Sequence, residues 1–200
     1  QDIGAFPTGQ RSFASATQTW VFHGLFFRTA SGALLMEQQD AGVTTIQRST
    51  PASDGLAWST VMTCPDDVIP LGPTAIAQDA VTGYLYFVEY SSGSTLTEIR
   101  IMRSTDDGVT WTAWKAMPKG AGAGTIRHWH GARYDTVSQR VYFTAGEGHA
   151  VAGIYRVNAA GTDIEPVVLN GQVSIPGIVS PVRAIDVMFF PDYIAWGMDG

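Results

Sequence analysis

The chain repeats itself at long period, and that repeat limits its possible folds more than any single residue does. Arg103-Ser104-Thr105-Asp106-Asp107-Gly108-Val109-Thr110-Trp111 matches Arg48-Ser49-Thr50 followed by Asp54-Gly55-Leu56-Ala57-Trp58, once two extra residues are allowed before the earlier Asp-Gly. A third copy runs from Arg156 to Ile164 without gaps, with Gly161 on Gly108 and Ile164 on Trp111. The leading arginines fall at 48, 103 and 156, intervals of 55 and 53. A second phrase keeps step: Asp79 to Phe87 matches Asp135 to Phe143 at an offset of 56, and Thr29 to Met36 is an earlier copy. Arg183 to Trp196 opens a fourth. In this frame His23-Gly24 falls on His130-Gly131.

Within each unit the local pattern is β. Runs such as Tyr84-Leu85-Tyr86-Phe87-Val88 and Arg140-Val141-Tyr142-Phe143-Thr144 are β-branched or aromatic and are bounded by turn residues. No stretch carries apolar residues at helical spacing. The unit therefore reads as strand, turn, strand, loop, strand, Asp-Gly turn, strand. A four-stranded antiparallel unit repeated radially is a β-propeller blade, whose two apolar faces are buried only against neighbouring blades. The predicted class is all-β, with a lead-in segment 1–19 and blades at 20–70, 71–125, 126–180 and an incomplete 181–200. That is about three and a third blades, where a closed ring takes roughly 4–8. The expectation is that further chain or a partner completes the ring. The chain opens on Gln1 and stops at Gly200 just after a strand-like run, and reads as a piece of something longer.

Composition removes several classes. With 12 basic and 18 acidic side chains the net charge is −6, which argues against a nucleic-acid binder that must neutralise phosphates. A single cysteine, Cys64, excludes an internal disulfide framework and any cysteine-cluster metal site. No apolar run is long enough to span a membrane. The glycine-rich stretch 118–124 leads into no helix, so it lacks the N–H cradle a phosphate needs and reads as a connection between blades.

Ser104-Thr105-Asp106-Asp107-Gly108-Val109-Thr110-Trp111 fits the Asp-box pattern S-x-D-x-G-x-x-W at every defined position and resembles the bacterial neuraminidase repeat of sialidase-like propellers. Its physics is local: Ser104 and Asp106 bond turn backbone, Gly108 accepts a positive φ, and Trp111 packs under the hairpin. The resemblance implies a structural motif at the rim, away from the ligand face. A second run, Arg127-His128-Trp129-His130-Gly131-Ala132-Arg133-Tyr134-Asp135 with Arg140 to Glu147, is similar to uncharacterised sialidase-like proteins, as is Phe190 to Asp199. The likeness spans most of 20–200.

That resemblance implies ligand binding at the mouth of the central channel, where innermost strands begin and second-to-third-strand loops lie. In the repeat frame the mouth receives Trp20 to His23, Gly72 to Ala75, Arg127 to His130 and Pro181 to Arg183, with loops holding Glu37, Glu89-Tyr90 and Glu147-Gly148-His149. The expected ligand contacts are Tyr90, Arg127, His128, Trp129, His130, His149 and Arg183. His128 and His130 share a strand face at period two. With His149 they form a donor set suited to a divalent transition metal; the competing reading has them packing and bonding loop backbone, and no cofactor is favoured. Trp129, Tyr90 and Trp20 are suited to stacking on the C–H faces of sugars. Arg127 and Arg183, with Arg133 nearby, stand where the family's carboxylate-clamping arginines would, although its Arg-Ile-Pro motif is absent.

Hydrolysis would need two carboxylates flanking one glycosidic bond. Glu147 and Asp186 are the candidates, while Glu37, Glu89 and Glu147 occupy equivalent loops spread around a ring. Three readings remain: a propeller module of an extracellular or virion (phage tail) protein that recognises a glycan or partner surface; a sialidase-like glycoside hydrolase acting on surface polysaccharide; or a scaffold in an oligomer or larger assembly. The residues leave catalysis open.

Overall fold

The computed structural model describes residues 24–198 except 66, 92, 94, 148, 149, 175 and 177–181. Every long element is a strand, and among the described residues the only helical turns are the short 3-10 segments Gly72–Ala75 and Asn170–Gln172. No helix among them is long and apolar enough to cross a membrane.

The first sheet is β1 (Phe26–Arg28), β2 (Leu34–Asp40), β3 (Val43–Ser49) and β4 (Ser59–Thr63), ordered in sequence and antiparallel throughout. The second unit contributes β5 (Val68–Ile69), β6 (Ile76–Gln78), β7 (Leu85–Val88), β8 (Tyr90–Ser91), β9 (Glu98–Ser104) and β10 (Thr112–Pro118). Of these, β6, β7, β9 and β10 form a four-stranded meander, and β5 pairs with β8. The third sheet is β11 (His128–Asp135), β12 (Arg140–Gly146), β13 (Gly153–Val157) and β14 (Ile164–Leu169). The fourth begins with β15 (Ala184–Phe189) and β16 (Ile194–Met198).

The inner strand β11 lies against the inner strand β6 on one side and β15 on the other, the arrangement of blades fanning about an axis. The described residues thus form three four-stranded propeller blades and a two-stranded sheet that opens a fourth. Blade interfaces are apolar because each sheet alternates its side chains to both faces. Tyr86 of the second blade sets its ring edge-on to Trp114 of its own blade (5.1 Å) and to Phe143 of the third (5.7 Å). On the last sheet Met188, Tyr193 and Met198 stay exposed.

The repeated phrase becomes a repeated hairpin. Ser104 Oγ accepts the N–H of Gly108 at 2.8 Å, and Ser49 Oγ accepts that of Gly55 at 2.9 Å. Trp111 Nε1 donates to the Gly108 carbonyl at 3.2 Å, as Trp58 Nε1 does to that of Gly55 at 2.9 Å. Asp106 collects the Thr110 N–H (2.8 Å), the Thr110 hydroxyl (2.6 Å) and the Ser104 hydroxyl (2.8 Å). The third copy uses Asn158, whose Oδ1 accepts from Thr162 N. These tips join third and fourth strands, away from the start of β11. The glycine-rich stretch after β10 is a connection between the second and third blades, as expected.

Candidate functional site

The polar side chains gather where β11 begins. Its first residues are positioned by two neighbours. The Trp129 N–H donates to the Glu89 carbonyl of the second blade at 3.1 Å, and a bulge between Trp129 and Gly131 shifts β11 against β12. His128 and His130 come side by side, ring centroids 4.8 Å apart. Tyr90, on β8, lies over His128 at 4.0 Å and reaches His130 at 6.1 Å.

Both imidazoles are buried, His128 to 1 % and His130 to 2 % exposure. His128 Nδ1 faces the Ser91 carbonyl at 3.3 Å, and His130 Nδ1 faces the Ala184 carbonyl of the fourth blade at 2.8 Å. Burial, then the neighbouring His130, push the His128 pKa down from 6.5 to about 4, so its ring is neutral at physiological pH. Its Nε2 is buried with no hydrogen-bond partner, 3.9 Å from Glu147 Oε1. Glu147 follows β12 with φ +69, a left-handed conformation that a side chain adopts at a cost. Its Oε2 is paired with Arg127 Nη1. Tyr90, Arg127, His128, His130 and Glu147 are therefore brought to one place.

Other expected residues lie elsewhere. Trp129 is fully buried, edge-on to Phe143 (6.2 Å) and Tyr155 (5.6 Å). This corrects the expectation of an aromatic platform there: alternation along β11 sends Trp129 to the face opposite the two histidines. Asp186 accepts from Arg133 Nε at 2.8 Å and Nη2 at 2.7 Å, joining the third and fourth blades. Burial would raise its pKa, but the Arg133 bonds, the Val187 N–H and the guanidinium charge outweigh that and hold Asp186 below the usual carboxylate range. Arg133 sits five residues along β11 from His128, about 16 Å at the usual strand rise. Asp186 and Glu147 thus belong to different ion pairs at different depths, and the two-carboxylate arrangement is not assembled from them.

Arg183 is part-buried directly before β15. His149, Trp20 and His23 fall outside the described residues, and among those described no group of three or more His, Cys, Asp or Glu side chains is arranged to hold a metal. Glu89, between β7 and β8, is 1 % exposed and accepts from Arg100 Nη2 at 2.5 Å, Nε at 3.0 Å and its N–H at 2.8 Å, a buried tie to β9 rather than a mouth group. Glu37 is also buried.

Two contributors escaped the sequence reading. Gly146 gives His130 its space: a Cβ there would lie 2.0 Å from His130 Cε1. Ser91 supplies the carbonyl that His128 faces. Gly146 reaches the site only through the register of β12, which pairs it with His128 across the strands. The inner strands β1, β6 and β11 line an open cleft of about 240 Å³ with Phe27, Gln78, Ala132, Arg133 and Tyr134 among others.

No family model and no curated protein matches the chain. Among solved structures it is similar to a protein of unknown function from Dyadobacter fermentans (20 % identity, TM-score 0.45, 72 % of this chain and 39 % of that one). It is also similar to the α-L-arabinanase of Penicillium chrysogenum complexed with arabinobiose (16 %, TM-score 0.45, 83 % and 52 %). A third is the GH93 α-L-arabinofuranosidase of Fusarium graminearum with arabinobiose (14 %, TM-score 0.41, 76 % and 52 %). The chain spans between 39 % and 52 % of the length of these proteins.

Proposed function

We propose that the chain is a propeller module that recognises a glycan through the mouth of its third blade, within an extracellular or virion-surface protein. The observation that carries this reading is Tyr90. Its ring is only half-buried and is packed at 4.0 Å on a neutral imidazole, beside the Arg127–Glu147 pair. An aromatic face next to fixed polar groups is what a sugar needs, with its C–H surface on one side and hydroxyls on the other. The composition, poor in lysine and acidic overall, is consistent with such a setting.

The hydrolase reading is less favoured. It requires an acid and a second carboxylate across one bond, whereas Glu147, Asp186 and Glu89 each close on an arginine of their own. The purified chain should bind glycans on an array and release no reducing ends. Turnover that disappears in Glu147→Gln would replace the binding reading with the hydrolase. Silence on glycans together with stable capture of a defined protein partner by the mouth would replace it with the scaffold.

A further inference from the structure

We infer that the mouth reads its ligand through two facing acceptors, His128 Nε2 and Glu147 Oε1, and so takes a neutral sugar with two adjacent hydroxyls, one donating to each. This rests on the glycan reading above and narrows it.

The Ser91 carbonyl fixes the tautomer of His128. A carbonyl only accepts, so the Nδ1 of His128 facing the Ser91 carbonyl at 3.3 Å must carry the hydrogen. The ring is neutral, which leaves Nε2 as a bare lone pair. That lone pair is buried and no donor among the described residues reaches it. What stands nearest is a second acceptor, Glu147 Oε1 at 3.9 Å. The carboxylate is held in this pose from two sides: Arg127 takes Oε2, and the left-handed backbone at Glu147 sets the direction of the side chain. His128 Nε2 is buried and unsatisfied until a donor reaches it, and Glu147 Oε1, on a side chain 26 % exposed, faces the same donor.

A single sugar hydroxyl has one hydrogen and answers only one acceptor. Two neighbouring hydroxyls on a ring answer both, while the ring face is left to Tyr90. An anionic sugar is a poor match. It would bring further acceptors to a pair of acceptors, and the arginines close by are engaged: Arg127 with Glu147 and Arg100 with Glu89. Access to Nε2 runs past the side chains of Glu147 and Arg127, which are 26 % and 47 % exposed.

The test is an array at pH 7 of neutral galactose-, mannose- and glucose-terminated oligosaccharides beside N-acetylneuraminyl and galacturonyl ones, followed by calorimetry on the best neutral ligand and its monodeoxy analogues. The expected result is a neutral ligand whose affinity falls about tenfold or more when either of two adjacent hydroxyls is removed. Glu147→Gln and His128→Phe should weaken it to a similar degree. Glu147→Gln changes a surface carboxylate, and its unfolding midpoint should match wild type, so the result does not depend on how His128→Phe folds. Preference for the acidic sugars overturns the inference, as does a neutral ligand indifferent to Glu147→Gln and to both hydroxyls; either leaves glycan recognition standing. Binding of no sugar at all overturns both.

Discussion

Arg48 of the first blade closes on Asp107 of the second, donating from Nε to the main-chain oxygen at 2.8 Å and from Nη2 to the carboxylate at 2.6 Å. The same carboxylate accepts from Ser31 Oγ at 2.7 Å. The Asp-box tip, locally self-contained, is thereby also a clasp between blades. Its arginine is the repeated residue at the head of each phrase. Arg48→Ala should destabilise the chain by about 1–3 kcal/mol in denaturant unfolding, because a part-buried charge-assisted fork is lost. A double-mutant cycle with Asp107→Ala should give a coupling of at least about 0.5 kcal/mol. Additive losses would mean the clasp contributes nothing of its own.

Gly108 is held by crowding as well as by dihedral angle. Its φ is +82, and a Cβ would lie 3.1 Å from Leu35 Cδ2 and 3.3 Å from Leu85 Cδ1, both in the core. Gly83 has φ +76 with nothing within 4 Å of a Cβ. Both glycine-to-alanine changes carry the backbone strain, of order 1 kcal/mol. Gly108→Ala should cost about 1–2 kcal/mol more, the cost of overpacking. Equal losses in thermal unfolding would show that the blade interface yields freely at this tip.

What could be read in the sequence was what is local or periodic. Ser104, Asp106, Gly108 and Trp111 bond one another within a single turn, so their spacing alone predicts the hairpin. His128 and His130 are two apart on a strand, and their pairing follows from that period. Trp129 is close to the mouth along the chain, but the period of two turns it to the face of β11 opposite His128 and His130. Gly146, Ser91 and Arg100 were invisible for a different reason. Their roles come from cross-strand register or from the neighbouring blade, and Ser91 sits 37 residues from His128. Asp186 is engaged by Arg133 of the neighbouring blade, a contact 53 residues apart that no local pattern signals.

Acid should weaken the fold in a defined window. His128 has a folded pKa of about 4 against an ordinary 6.5, from burial first and His130 second. As pH falls through 6.5 the unfolded chain takes up the proton and the folded chain does not, so stability drops from there down to about 4 and then levels off for this group. The loss is on the order of 2–3 kcal/mol across that span. Asp107 and Asp186 act lower. Burial opposes their ionisation, but hydrogen bonds and arginine charge depress both pKa values from 3.8, so their contribution holds above that pH and is lost beneath it. Unfolding free energies from pH 7 to 4 should therefore fall in wild type and stay flatter in His128→Gln. Parallel curves would remove His128 as the cause.

The tightest steric dependence in the site joins Gly146 to His130. A Cβ at Gly146 would lie 2.0 Å from His130 Cε1, 2.3 Å from Nε2 and 2.8 Å from Nδ1, inside the ring's own contact distance. The ring has little room to retreat, being 2 % exposed and fixed by Nδ1 to the Ala184 carbonyl at 2.8 Å. Gly146→Ala must therefore displace the imidazole, break its bond to the fourth blade and disturb the Tyr90–His128 stack, at a cost of about 1–3 kcal/mol. His130→Ala alone leaves a cavity and an unpaired carbonyl, and destabilises for that reason. The two changes together should cost clearly less than the sum of the separate losses, because the added methyl then occupies space the ring has left. Unfolding of the two single variants and the double variant checks this. Additive or worse behaviour would show that Gly146 matters for the strand backbone and not for the histidine.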